Sequence, residues 1–300
     1  MDQDRPARAP RTTVAEVSLP SPTVSVVMPV YNVAPWVAAA IESALRQTLT
    51  NLEVIVVDDG SSDDTGRVVS CIDDPRVRFE SMPHQGAAAT LNHAVRIASG
   101  TFVAFLDGDD LWAPAKLERQ IAFMEQRPET DLTFSQSRLC NEHGANLGLT
   151  SRREHEPVSF ERLYVDNMIG NGSSVVARRT ALLEAGPFDT ELLGGYDFDV
   201  WLRIALLRPA NVFCIPAVLT YYRRREGQIT KNWKLMGAAL KRVLRRPRLG
   251  RGWSHPQDRR MLQAAGKSCR TTWSRRTWQA EDGDSAGCGG AWFRCAERPG

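Results

Sequence analysis

The sequence predicts an α/β chain: a Rossmann-like half of βαβ units around a mostly parallel central sheet, and a smaller second half. Three observations predict it. Short β-branched runs alternate with segments whose apolar residues recur at helical spacing. The connections between them are short, as βαβ units require. Three of the runs end abruptly in chemically loaded turns: Pro29-Val30-Tyr31-Asn32, Asp58-Asp59-Gly60-Ser61 and Asp107-Gly108-Asp109-Asp110. Ligands of parallel sheets bind outside the carboxyl ends of the strands, so these three ends belong on one edge.

The elements follow in order. Residues 24–28 form a short buried strand, broken by Pro29, Asn32 and Pro35. Pro35 fits the first turn of a helix whose buried face is Val37, Ile41, Ala44 and Leu45. Residues 54–57 make a second strand, and the polar turn after it offers N-caps for a helix carrying Val68, Val69 and Ile72. A third strand covers 77–80. The third helix carries Ala88, Leu91, Val95 and Ala98, with Gly100 as its C-cap. The fourth strand, 102–106, delivers the acidic triplet. Pro114 then reads as the N1 proline of a helix carrying Leu117, Ile121 and Met124, followed by a strand at 132–135. From 138 to 168 the pattern weakens into polar loop. It returns with a run at 173–177, a short helix ending at Gly186-Pro187, and a strong helix at 196–207.

Three carboxylates lie within four residues at Asp107, Asp109 and Asp110. Burying one unpaired carboxylate costs roughly several kcal/mol, and crowding adds like-charge repulsion. A hard divalent ion, Mg²⁺ or Mn²⁺, beside a phosphate group relieves both. Asp107 and Asp109, two residues apart, share one face of an extended strand end. The alternative is a polar turn leading into the next helix. Asp197 and Asp199 open a helix, where acids favour the macrodipole; the functional alternative is a general base at a pocket edge.

Composition sets bounds. The 300 residues are 42% hydrophobic and 24% charged, as in ordinary globular proteins. A net charge of +3 is too small to imply nucleic acid. No apolar run is long enough to span a bilayer. Residues 1–22, rich in Arg, Pro and Ser, read as a disordered leader and not a secretion signal. The six cysteines form no Cys-x-x-Cys pair, so reduced thiols in a cytoplasmic protein are expected. Asn171-Gly172-Ser173 matches a glycosylation pattern that carries little weight without a secretion signal. No Gly-x-Gly-x-x-Gly follows the first strand, and Gly266-Lys267-Ser268 lacks the first glycine and the strand of a P-loop. The domain is expected at 23–232, and residues 233–300 as a basic, irregular tail in which Lys241, Arg242, Arg245, Arg246, Arg248 and Arg251 interleave with apolar residues.

Taken in order, Val24-Ser25-Val26-Val27-Met28-Pro29-Val30-Tyr31-Asn32, Val54-Ile55-Val56-Val57-Asp58-Asp59-Gly60-Ser61-Ser62-Asp63, His84-Gln85-Gly86 with Asn92, Phe105-Leu106-Asp107-Gly108-Asp109-Asp110, Gly186-Pro187-Phe188-Asp189 and Asp197-Phe198-Asp199-Val200-Trp201-Leu202-Arg203 resemble the family 2 glycosyltransferases. The resemblance covers roughly residues 23–230. It implies the GT-A fold and an inverting enzyme using a nucleotide diphosphate sugar. It implies that Pro29, Tyr31 and Asn32 line the nucleobase and ribose, and that Asp59, with Asp58 beside it, meets the base. Gly86, Asn92, Asp107 and Gly108 join the nucleotide-sugar site. Asp109 is implied as first metal ligand with Asp107, for Mn²⁺ or Mg²⁺, and Asp197 as catalytic base. Many relatives carry Glu-Asp at the base position; here Tyr196 replaces the Glu.

On this reading, Asp197 takes the proton of an acceptor hydroxyl that attacks the anomeric carbon from the face opposite the diphosphate. UDP- or dTDP-sugars are the expected donors, with a carbohydrate or lipid-linked acceptor in cell-surface polysaccharide or glycolipid synthesis. Residues 138–172, or Arg223-Arg224-Arg225 with Gln228, are candidates for a closing loop. The competing readings are a nucleotidyltransferase, which has no need of Asp197, and a nucleotide-sugar-binding protein on a membrane surface. The basic tail suggests peripheral contact at the inner face of a membrane.

Overall fold

The computed structural model describes residues 21–154, 156–244 and 278–280. Its first half repeats strand and helix as expected: β1 (Val24–Val30), α1 (Ala34–Leu45), β2 (Leu52–Asp58), α2 (Thr65–Ser70), β3 (Val77–Ser81), α3 (Ala87–Ile97) and β4 (Phe102–Phe105). A short β5 (Leu111–Trp112) precedes α4 (Lys116–Gln126), β6 (Leu132–Asn141), β7 (Asn146–Ser151) and α5 (Phe160–Val165). Then come β8 (Val175–Arg178), α6 (Arg179–Ala185), α7 (Tyr196–Leu207), β9 (Val212–Arg224), α8 (Trp233–Leu244) and β10 (Trp278–Ala280).

The strands form one sheet in the order β10-β7-β6-β8-β4-β1-β2-β3, with β9 beside β6 and β5. β3, β2, β1 and β4 are mutually parallel. β8 runs antiparallel between β4 and β6, and β9 follows β6 in parallel from Val212 to Arg224. Alternation along each strand divides the core. Val27, Ile55, Val57, Val103 and Phe105 face α3, α5, α6 and α7. Val26, Met28, Val54, Val56 and Ala104 face α1, α2 and α4. Each such side chain contributes roughly 1.5–3 kcal/mol by leaving water. The parallel strands are apolar on both faces because helices cover both.

Four expectations need correction. Gly100 does not cap α3, whose C-cap is Ala98. A Cβ at Gly100 would stand 2.6 Å from the Ser25 backbone nitrogen, so glycine is there for close approach to β1. Pro114 precedes α4 by two residues and forms the turn before it. The stretch 138–168 is not loop: it completes β6 and holds β7 and α5. Polar residues around the start of this stretch are buried and tied to Ser151 of β7, which masks the strand pattern. Gln136 Nε2 donates to Ser151 O at 2.7 Å, and Ser137 N donates to Ser151 Oγ at 2.8 Å. The chain also stays regular past residue 232, where α8 buries Met236, Ala239 and Val243. The basic residues beyond 244, Gly266-Lys267-Ser268 and all but the last two residues of the expected leader lie outside the described residues.

Candidate active site

The three loaded turns do lie on one edge, since β1, β2 and β4 are adjacent and parallel. After β1 the chain turns through Asn32, at φ 51°. The Asn32 side-chain oxygen accepts from Ser62 N at 2.9 Å, and Asn32 N donates to Ser61 Oγ at 2.9 Å. Asn32 therefore ties the β1 turn to the β2 turn, and Asp58 accepts from Ser61 within the latter. Asp59 is buried and accepts from Gln85 N at 2.8 Å and Gly86 N at 2.9 Å, with His84 Nδ1 also 2.8 Å away. It fixes the loop before α3. Tyr31 is 44% exposed and stacks on His84 with centroids 4.5 Å apart, giving an aromatic surface over these turns.

The three acids after β4 have separate placements. Asp110 is wholly buried and accepts from Ser173 Oγ at 2.6 Å, Asn171 Nδ2 at 3.2 Å and Arg223 N at 2.9 Å. It joins β4 to the 172–174 turn and to β9. That turn is itself held from below by Gln120, which donates to Ser174 O, and by Trp112 Nε1, 2.7 Å from Ser173 O. Asn171, the glycosylation-pattern residue, is buried with its amide engaged. Asp109 faces Arg225, whose Nε lies 2.6 Å from Oδ2. Asp107 points into a pocket lined also by Pro29, Leu91, Phe105, Phe188, Trp201 and Asp197. Gly108 between them is required: a Cβ would meet Val30 Cγ1 at 2.8 Å and Val33 Cγ2 at 2.9 Å.

Asp197 enters the same pocket from the first turn of α7, after Gly195. Its Oδ1 accepts from Phe198 N at 2.8 Å, and Gly172 lies beside Oδ2 with no side chain to cover it. Burial raises the Asp197 carboxyl above the usual range. Burial, and then the charges of Asp109 and Asp197, push Asp107 up to about 7. Asp199 serves differently. It pairs with Arg203, which also donates to the carbonyls of Ala185, Gly186 and Pro187 and so closes the end of α6. Phe105, Phe188 and Trp201 pack edge to face around the pocket. Asn92 supports that wall, accepting from Phe188 N and donating to Phe188 O, each at 2.8 Å. Its amide is thereby engaged on the protein.

The donor set suits a hard divalent cation. Asp107 and Asp109 present carboxylate oxygens, and a cation would offset the burial and the neighbouring negative charge that raise Asp107. Among the described residues no three His, Cys, Asp or Glu side chains are grouped to hold a metal. Two carboxylates plus substrate phosphates is the arrangement Mg²⁺ commonly uses. Sequence patterns do not reveal that Asp110, Ser173 and Arg223 support this site. The acidic triplet and the arginine run are visible in the sequence, but their pairing across more than a hundred residues is not.

Comparison with known proteins gives the family and the fold. Residues 25–184 match the model of Glycosyl transferase family 2. An uncharacterized glycosyltransferase of Rickettsia felis is 42% identical over 64% of this chain, which spans only 32% of that relative. The Escherichia coli UDP-Glc:alpha-D-GlcNAc-diphosphoundecaprenol beta-1,3-glucosyltransferase WfgD is 31% identical over 74% of this chain and 88% of its own length. Among solved structures, the mannosyltransferase PcManGT of Pyrobaculum calidifontis in complex with GDP-Man and Mn²⁺ superposes with a TM-score of 0.61 at 20% identity, over 84% of this chain and 71% of that one. The fold is accordingly GT-A, and the chain belongs to glycosyl transferase family 2.

Proposed function

We propose that the protein is an inverting glycosyltransferase that moves a sugar from a nucleotide diphosphate sugar to an acceptor hydroxyl. One observation carries this: Asp107 and Asp197, from distant parts of the chain, line one pocket at the carboxyl edge of the parallel strands, next to Asp109. The Tyr31–His84 stack offers a platform for the base, with Pro29 and the turns held by Asn32, Asp58, Asp59 and Gly86 around it. Asp107 and Asp109 would hold Mg²⁺ or Mn²⁺, which when bound supplies positive charge against the leaving diphosphate.

Asp197 accepts the proton of the attacking hydroxyl. Burial raises its pKa, which makes the carboxylate a stronger base than an ordinary aspartate. A single displacement from the face opposite the diphosphate inverts the anomeric centre. The aromatic wall of Phe105, Phe188 and Trp201 keeps water from the sugar. Tyr196 lines the same pocket and shapes the acceptor side. WfgD, by its name, uses UDP-Glc and a diphosphoundecaprenol-linked acceptor. It supports a UDP-sugar donor and a lipid-linked acceptor here, in polysaccharide or glycolipid synthesis.

No helix of the described residues is long and apolar enough to cross a membrane. Contact with a lipid surface, at the cytoplasmic face, would fall to α8, which carries Lys234, Lys241 and Arg242. Pelleting with anionic vesicles, lost on truncation after residue 232, tests it.

The deciding experiment is calorimetric titration with UDP, dTDP and GDP in Mn²⁺ and then in EDTA, on wild type and Asp109→Ala. Metal-dependent binding of one nucleotide, lost in the variant, is expected. No metal-dependent binding by folded wild-type protein would overturn the proposal.

A further inference from the structure

Arg225 is held on three sides. Its Nε is 2.6 Å from Asp109 Oδ2, and its guanidinium carbon lies 4.8 Å from the centre of the Trp36 ring. Gln228 Oε1 accepts from Arg225 N at 3.3 Å, while Gln228 Nε2 donates to Arg223 O at 2.6 Å and lies 3.5 Å from Asp109 Oδ2. Trp36 is fixed in turn through Nε1 to Glu142 O at 3.2 Å, and Arg223 Nη1 donates to that same oxygen at 2.6 Å. The segment 223–228 thus sets a cation on the carboxylate that the proposed function assigns to the metal.

A guanidinium and a divalent cation compete for the lone pairs of one carboxylate oxygen, and their charges repel. The planar guanidinium also matches phosphate, to which it donates in a fork. Arg225 is 18% exposed at its side chain and projects from a turn after β9, so it can leave Asp109 without unpacking a core residue.

Building on the reading of this site as a donor site, we propose that Arg225 is a diphosphate-binding residue with two positions. In the free enzyme it neutralises Asp109; when a nucleoside diphosphate arrives it turns onto the phosphates and leaves Asp109 to the cation. The two ligands then help each other. The nucleotide removes the arginine that opposes the cation, and by linkage the cation favours the nucleotide by the same factor. Arg225 is a gate for the metal and a grip for the diphosphate, set by one ion pair.

The test uses the full chain as wild type, Arg225→Ala, Arg225→Gln and Arg224→Ala. Arg224 is the exposed neighbour on β9 and controls for loss of charge alone. Free Mn²⁺ is read by electron paramagnetic resonance with MnCl₂ alone, and UDP and GDP are titrated calorimetrically in EDTA and in Mn²⁺. Circular dichroism verifies folding. Both Arg225 variants are expected to bind Mn²⁺ alone about tenfold more tightly than wild type, and UDP or GDP in EDTA about tenfold more weakly. Arg224→Ala should do neither. Unchanged Mn²⁺ affinity in the Arg225 variants would overturn the gate, and unchanged nucleotide affinity would overturn the grip. An equal gain in Arg224→Ala would reduce the effect to bulk charge and overturn both. If wild type binds neither nucleotide even with Mn²⁺, the donor-site reading fails with the grip. The Mn²⁺ titration without nucleotide still decides whether Arg225 blocks Asp109.

Discussion

Asp109 and Asp110 are neighbours in sequence and should fail in opposite ways when truncated. Asp110→Ala strips the acceptor from Ser173 Oγ, Asn171 Nδ2 and Arg223 N, all in the interior, at 2.6, 3.2 and 2.9 Å. A buried donor left without a partner costs about 1–3 kcal/mol. Allowing for relaxation and for the desolvation that already pushes the Asp110 carboxyl up, the loss should be about 3–5 kcal/mol. For a domain of this size each kcal/mol lowers Tm by roughly 2–4 °C, so a fall of about 6–20 °C is expected. Asp109→Ala removes a pair whose arginine can move to solvent, and it relieves repulsion with Asp107. Its cost should be clearly smaller than that of Asp110→Ala, because Arg225 is released toward solvent, while metal-dependent nucleotide binding disappears. Urea unfolding followed by circular dichroism gives both stabilities, and calorimetry gives binding. An Asp110→Ala protein within about 0.5 kcal/mol of wild type, the range of an ordinary surface substitution, would refute the structural role. So would an Asp109→Ala protein destabilised as much as Asp110→Ala.

Four other expectations are sharp enough to test. Asp197→Asn should lower kcat by about 10²–10⁴-fold, the usual weight of a positioned base, and leave nucleotide affinity within error in calorimetry; loss of affinity with no loss of kcat would refute the base assignment. The Asp107 carboxyl sits at about 7 in the folded chain against an ordinary 3.8. The folded, metal-free protein therefore holds that proton more tightly than the unfolded chain, and stability present below pH 3.8 should be lost as pH rises through about 7. Each tenfold difference in proton affinity is worth about 1.4 kcal/mol, so several kcal/mol are at stake, and Mn²⁺ should restore them; a flat or rising stability across that window would contradict it. Asp197, also raised, sets the opposite dependence for activity: kcat/KM should fall as pH drops, with an acid limb above that of an ordinary aspartate. Gly108→Ala drives a methyl group against Val30 and Val33 at under 3 Å. It should cost about 1–3 kcal/mol and weaken nucleotide binding, both measurable by thermal melting with and without UDP.

The βαβ half, and the edge on which its acid-rich turns gather, are legible in the sequence. Continuous apolar strands such as Val54-Ile55-Val56-Val57 are legible because burial on both faces leaves no other composition. Parallel connectivity then forces the ends of β1, β2 and β4 to one side, and Asp107, Asp109 and Asp197 stand out as acids at element ends. Tertiary structure alone decided which acid does what. Asp109 and Asp110 look alike in sequence; only the arrival of β9 and the 172–174 turn makes Asp110 an internal acceptor and sets Arg225 on Asp109. The strand that brings them was illegible locally. β9 carries Pro216, slips register against β6 near Ile215, and alternates weakly, so its identity comes from pairing with β6. The same holds for β6 beyond Ser135, where Gln136 and Ser137 are polar yet buried: a neighbouring strand takes the Gln136 amide N–H and the Ser137 backbone N–H, while Gln136 Oε1 and Ser137 Oγ are left without a partner among the described residues. Local patterns record which residues must leave water. The partner that a buried polar group finds is a property of contacts far apart in the chain, and only the folded molecule states it.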